Sequence, residues 1–522
     1  MNKDSNECVF VTEKSKIFPS TRFLMAGLLC FCFIALSAGT SNISQSMVCM
    51  VYKPSESLDP LNITSCNHND DEITSVPCYH SKKFAWTSMQ QGFVYAGQNF
   101  GSLLMVVCGW QADRLNGKWT ITASLVLLIA SSAFVPLAAP VSVWLVFFLR
   151  VLTGVSDSFL FPAASSMITR WFPPKERPFA LGFVTGGRQI GTLVILPVAG
   201  VLCEKNGHGM FDGWPAIFYV SAITAAAVLI IWVMFSADKP SKHLCIPLSE
   251  EMYISRKIEE ENVGKRTKRG NPPWGKLARC RSLYVAVAAL VCHEFPLVIM
   301  LQFLPKFFSD VLGLSSAMNG LFSALPMAVL FLSKTLSSSL ASIITSKFMG
   351  KTASCKMFNF IASLGLGVCI GITPLFGNVG HPAYAITLLC LANAFAGLHT
   401  PGVQTALVQI APAYTGVVTG ITFTVAACFS IINKLLTSQI LTTGSKREWT
   451  IVFEISAVVA LLPVVFFTLW GSAERESWAS NRSSKPKEAD QKSDDSQASN
   501  DSAVQTFAKY SLYLTHDLTH SA

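Results

Sequence analysis

Several ionisable residues stand inside otherwise apolar sequence: Arg150, Asp157, Arg188, His293, Glu294, Lys334 and Lys434. Arg150 and Asp157 are seven positions apart. Seven helical steps of about 100° return to nearly the same face, two turns on. Arg150 is suited to hold an anion, because a guanidinium meets carboxylate or phosphate with a planar fork. Asp157 is a candidate proton carrier or ion ligand; the bland alternative for the pair is a gate held by ion pairs. Arg188 lies in Gly186-Gly187-Arg188-Gln189, where glycines allow close helix approach. An Arg at such depth needs an anionic partner, either Asp157 or a substrate. His293 and Glu294 are adjacent, so on a helix they cannot share one face. His293 could sense pH, but a histidine in a bundle is as often a satisfied polar residue. Glu294 is a second candidate for coupling. No nucleophile–base constellation, HExxH cluster or GxxxxGK[ST] loop occurs, so an enzyme is not expected, and neither is a metal, a cofactor or a nucleic-acid partner.

These residues need a membrane scaffold. The chain has 522 residues, 51% hydrophobic and 14% charged, against about 25% charged in soluble domains. That deficit excludes a disordered chain and an ordinary soluble enzyme. A span needs about 20 mostly apolar residues. Twelve candidates follow, near 22–51, 86–111, 119–138, 141–168, 178–203, 214–236, 283–305, 318–346, 354–375, 382–411, 415–442 and 449–471. The first reads as a retained helix rather than a cleaved signal. The expected plan is all-α: a segment 1–21, a six-helix bundle 22–236 with an outer loop 52–85, a charged loop 237–281, a second bundle 282–472, and a polar tail 473–522.

Lys and Arg set orientation. With a cytoplasmic N-terminus, inside loops hold nineteen basic residues and outside loops seven, so both termini and the central loop are expected inside. Asn62-Ile63-Thr64 then faces outward as a glycan acceptor. Cys66 and Cys78 share that loop, where a disulfide or two free thiols are both open readings. Most of the fifteen cysteines lie in apolar runs, as small hydrophobes.

Gly109-Trp110-Gln111-Ala112-Asp113-Arg114-Leu115-Asn116-Gly117-Lys118 joins spans two and three. G-x-x-x-D-R-x-x-G-K at this place in a 6+6 chain resembles the signature of the major facilitator superfamily. That resemblance implies two bundles rocking about a central site, with Gly109, Asp113, Arg114, Gly117 and Lys118 in a gating motif. Its second-half echo is expected near Ser338–Ser342, without Asp or Gly. Arg150 to Asp157, Phe161-Pro162-Ala163 and Trp171-Phe172-Pro173-Pro174-Lys175-Glu176-Arg177 narrow the likeness. They are similar to the organic anion branch, which holds sialin, the vesicular glutamate and nucleotide transporters and the type I sodium–phosphate cotransporters.

The resemblance implies substrate binding near Arg150 and proton-linked activation at Asp157, where relatives commonly have Glu. Thr40 stands where the family has an Arg, and Arg188 could replace that charge. Tyr95 stands where glutamate transporters carry His, and His293 where they carry Arg. In span ten, His399 is the remaining titratable group. The expected function is a secondary active anion transporter, with Arg150, Arg188, Tyr95 and His293 at the substrate. Asp157 and Glu294 would couple it to H⁺, Na⁺ or membrane potential. It is expected as a monomer in the plasma membrane or a vesicular or lysosomal membrane. The alternative is a receptor or sensor that keeps the fold without transport.

Overall fold

The computed structural model describes residues 20–52, 83–111, 116–173, 176–204, 212–243, 245–262, 274–377, 381–411 and 415–476. The spans are α1 Thr21–Met50; α2, made of Ser88–Ser102 and Met105–Gln111; α3 Gly117–Ala133; α4 Val143–Trp171; α5 Arg177–Glu204; and α6 Trp214–Phe235. The second set is α7, running Arg281–Val298, Ile299–Phe303 and Leu304–Asp310; α8 Ser316–Lys347; α9 Lys351–Phe376; α10, running Pro382–Gly397, Thr400–Gln404 and Thr405–Ile410; α11 Thr415–Ile440; and α12 Lys446–Trp470. Eleven helices among the described residues are long and apolar enough to cross a membrane. The second predicted span falls short of a continuous crossing because α2 breaks at Leu103 and Leu104.

Helix starts follow local chemistry. Ser20, Asn116, Ser142 and Ser445 each accept a backbone N–H of the first turn, and Thr87 with Gln90 forms a capping box at α2. Between apolar helices in lipid, close packing replaces the hydrophobic drive, so small residues mark the crossings. At the α2–α4 crossing, a Cβ on Gly154 would lie 1.9 Å from the Gln98 carbonyl oxygen. Across the bundles, a Cβ on Gly320 of α8 would lie 2.4 Å from the Leu196 carbonyl oxygen of α5. A Cβ on Gly92 of α2 would lie 2.6 Å from Ser438 Cβ of α11.

The cores are unequal at the two ends. At one end a continuous apolar cluster takes Met47, Met50, Val143 and Trp214 from the first bundle and Phe303, Phe307 and Trp449 from the second. At the other end the bundles have separate cores. One holds Met25, Leu125, Trp171 and Trp232, the other Leu277, Leu283 and Phe467. The bundles therefore share one apolar core at one end, the fused end, and keep separate cores at the other, the parted end, where Phe161 of α4 still meets Phe423 of α11.

The parted end carries the chain between α6 and α7. Arg170 Nη1 pairs with Asp238 Oδ1 at 2.6 Å, and the Gly117 N–H donates to the same oxygen at 2.7 Å. Trp171 Nε1 donates to the Ala237 carbonyl at 3.0 Å. The second bundle has a counterpart after α12: Ser282 donates to Glu476 at 3.1 Å, and the Glu476 N–H donates to the Ile410 carbonyl at 3.0 Å. The central stretch, expected as a loop, contains a helix at Leu248–Asn262. Ser338–Ser342 also differs from expectation. It lies inside α8, and the turn to α9 is Phe348–Gly350. The apolar periodicity continues a full turn beyond the point where the motif was sought.

Gly154→Val should force α2 off α4 and cost about 3 kcal/mol through overpacking. Gly182→Ala is the control, because a Cβ there meets nothing within 4 Å. Thermal unfolding in detergent should show a lower midpoint for the first and little change for the second.

Candidate functional site

Arg150 is 2% exposed and reaches toward α1. Nη1 donates to the Gly39 carbonyl at 3.0 Å and to Asn42 Oδ1 at 3.4 Å, and Nη2 donates to the Thr40 carbonyl at 2.7 Å. Gly97 on α2 makes the room, since a Cβ there would lie 2.8 Å from Arg150 Cβ. Arg150 Nε is buried without a hydrogen-bond partner. Thr40 thus supplies an acceptor through its backbone, while its hydroxyl donates to the Ser37 carbonyl at 3.1 Å.

Two turns along α4, Asp157 pairs with Arg188 Nη2 of α5. The Arg188 guanidinium lies 5.4 Å from the Phe33 ring centre and 5.8 Å from that of Phe161. Cation–π attraction adds to its placement. Its side chain is 36% exposed. The backbone around it is fixed to α1. Ser37 donates to the Arg188 carbonyl at 2.6 Å, and a Cβ on Gly187 would lie 2.4 Å from the Cys30 carbonyl oxygen.

On the other wall, Lys334 of α8 lies within electrostatic reach of both Glu294 and Arg188. His293 stacks on His399 of α10. The structure therefore brings Asp157, Arg188, Glu294 and Lys334 to the face between bundles. Tyr95 lies elsewhere, on the α2–α11 seam, buried with its ring 4.7 Å from Phe303. Lys434 Nζ donates to the Tyr95 carbonyl at 3.0 Å and to Asn99.

Of the gating motif, Lys118 Nζ donates to the Val233 and Ser236 carbonyls at 2.9 and 2.8 Å. Gly109 lies in the second piece of α2. Asp113 and Arg114 lie outside the described residues, as do Asn62, Cys66 and Cys78. A disulfide that sequence reading missed joins Cys49 of α1 to Cys203 of α5, 154 residues apart. Another missed feature sits at the parted end. Arg22, 0% exposed, pairs with Glu176 at 3.2 Å and Glu250 at 3.9 Å. Glu250 also accepts the Thr21 and Arg22 N–H groups at 3.0 and 3.1 Å, so the linker helix satisfies the start of α1. The signal was an Arg at the edge of span one and acids in the charged loop, with nothing to pair them.

Burial pushes the Glu176 carboxyl above the usual range; Arg22 opposes this and Glu250 adds to it. A raised acid favours this arrangement while protonated, so its contribution wanes as pH rises from about 4.5 through the raised value. Glu176→Gln should flatten that part of the stability–pH profile in thermal unfolding. Arg188→Ala leaves Asp157 buried and unpaired. A loss of about 1–3 kcal/mol is expected, below that of a fully buried pair because Arg188 is partly exposed. Adding Asp157→Asn should recover much of it in the same assay.

Comparison with known proteins places this geometry. A transporter from Caenorhabditis elegans, slc-17.2, is 28% identical over 473 residues, 90% of this chain and 94% of its own. Sialin of Ovis aries is 26% identical, covering 90% and 92%. Vesicular glutamate transporter 3 of Danio rerio is 24% identical, covering 85% and 75%. Among solved structures, a bacterial homologue of the human lysosomal transporter Spinster, inward-facing and unoccupied, aligns with TM-score 0.64 at 14% identity over 86% of this chain and 97% of that one. The partially occluded, inward-open xylose transporter XylE of E. coli aligns with TM-score 0.60 at 14% identity over 86% and 99%. The family profile described as Major Facilitator Superfamily matches residues 63–433, and this multi-pass membrane protein belongs to that superfamily of transporters.

Proposed function

We propose that the chain is a secondary active transporter of small anions of carboxylate or phosphate type, working by alternating access. The observation that carries this is Arg188 on the face between the parted bundles, partly exposed and within electrostatic reach of Lys334 on the opposite wall. Cations at membrane depth are costly unless they face a cavity or a partner. Here one acid, Asp157, pairs with Arg188, and Glu294 lies near Lys334 without forming an ion pair. An anion between Arg188 and Lys334 would meet both cations, and a proton or Na⁺ taken up by one of the two acids would keep the site neutral. The Danio rerio relative is a glutamate transporter, which points the same way, to a carboxylate.

In this reading Arg150 is a positioning residue. It ties α4 to α1, and its free Nε remains for water or an anion. Asp157 and Glu294 are the acids available for H⁺ or Na⁺ coupling. Tyr95 and Lys434 hold the α2–α11 seam. The parted end is the cytoplasmic end. The basic linker lies there, and the Cys49–Cys203 disulfide sits toward the fused end, where an oxidising compartment would keep it. The protein acts as a monomer, since each chain contains both walls of the cleft.

The test is purified protein in liposomes with glutamate, sialic acid and inorganic phosphate, under separately imposed pH, Na⁺ and voltage gradients. At least one anion should accumulate. Arg188→Ala and Lys334→Ala should each lower its uptake about tenfold or more, corresponding to ~1.4 kcal/mol of lost stabilisation. Thr40→Arg introduced with Arg188→Ala should restore part of it. Binding without flux would instead identify a receptor; absence of both would sink the anion reading.

A further inference from the structure

The imidazoles of His293 on α7 and His399 on α10 lie parallel, with ring centres 3.6 Å apart and planes at 1°. The residues are 3% and 1% exposed. His293 Nδ1 and both His399 ring nitrogens lack a well-formed hydrogen bond, although the Ala289 backbone faces His399. Buried polar atoms are normally satisfied, so open nitrogens on two stacked rings are unusual. Both helices depart from regular α geometry nearby. α7 forms a π turn at Ile299–Phe303, and α10 forms one at Thr400–Gln404, immediately after His399. π turns concentrate at functional sites.

We propose that His293 and His399 form one proton-binding unit on the second bundle's wall, linked to an anion held between Arg188 and Lys334. This rests on the anion-transport reading above. Two positive rings this close would repel strongly, so the stack takes up at most one proton and titrates as a pair. Burial of the two rings decides first when it does so, and the charged surroundings second. Lys334 of α8 faces both rings, Arg188 of α5 lies behind it, and Glu294 flanks His293 on α7. Cys355 of α9 donates to the Pro401 carbonyl at 3.6 Å beside the π turn, and Cys292 precedes His293. On α11, Asn433 donates to the Phe295 carbonyl at 2.8 Å while Lys434 turns to α2. Glu454 of α12 is exposed, and α1 meets the α7 π turn where Cys49 is disulfide-bonded.

Lys334 therefore opposes charge on the stack, and a bound anion offsets Lys334. Anion and proton then favour each other's binding by the same factor. The proton comes from water in the cleft, forms an N–H bond on an imidazole nitrogen, and returns to water on the other side. The anion moves with it, so the step is a symport.

The experiment uses full-length protein in liposomes containing a trapped pH dye. Proton and anion uptake are measured together for glutamate, sialic acid and inorganic phosphate. About one proton should accompany each anion that moves. His293→Gln and His399→Gln should each lower that ratio at least about fivefold, and a ratio does not depend on how much protein folds. Lys334→Met should move half-maximal proton uptake upward by about one pH unit. An unchanged ratio in both histidine variants overturns the proposal and leaves anion transport standing. No flux of any of the three anions in the wild type overturns the transport reading, and this inference with it.

Discussion

Every charge at membrane depth in this protein must have a partner, a backbone acceptor or water, because the bilayer supplies none. That constraint explains most of the interior. Arg150 is solvated by three uncharged acceptors on α1, two of them backbone carbonyls, rather than paired with an acid. Arg188 is matched by Asp157 and by two aromatic faces. Lys434 is matched by the Tyr95 carbonyl and Asn99. Each solution joins two helices, so the placement of charge and the packing of the bundle are one problem. Glycines complete it. Gly97 admits Arg150, and Gly187 lets α5 approach α1 closely enough for Ser37 to hold the Arg188 backbone.

The unequal cores show what can move. Where Trp214 and Phe218 share a cluster with Phe307 and Trp449, the two bundles cannot part without exposing apolar surface. Where the cores are separate, no shared apolar cluster among the described residues resists their parting. The joints within each bundle at that end are strong and local. Arg170 and Gly117 bind Asp238 in one bundle, and Ser282 binds Glu476 in the other. Each bundle can therefore move as a body there, which is the mechanical requirement for rocking.

Much of the fold was legible because membrane helices announce themselves by length and apolarity. Eleven of the twelve expected spans are helices long and apolar enough to cross a membrane among the described residues. The break in α2 was not legible, because Leu103 and Leu104 give no composition signal. Of Gly186 and Gly187, only Gly187 closely meets the α1 backbone; a Cβ on Gly186 would make an ordinary contact with Phe331 at 3.8 Å. Of the alternatives for Arg188, the structure has Asp157 as its partner. What could not be read were pairings that exist only in space. Cys49 and Cys203 are 154 residues apart inside apolar runs. Arg22 meets Glu250 across 228 residues, and His293 meets His399 only because α7 and α10 face each other. Hydrophobic pattern records which side of a helix is apolar, not which distant helix it meets.

The Arg188–Asp157 pair constrains any anion cycle in this cleft. An anion approaching Arg188 competes with a carboxylate already bound to it, so affinity is reduced by the cost of displacing Asp157. Thr40 brings no charge of its own: α1 offers there a carbonyl already used by Arg150. The compensation has to come from the opposite wall, and Lys334 is the cation whose field reaches Arg188 there. Because Lys334 belongs to the second bundle, an anion held by both cations bridges the two bodies. Its binding energy then acts directly on their relative position, and a ligand held by Arg188 alone would have no such leverage.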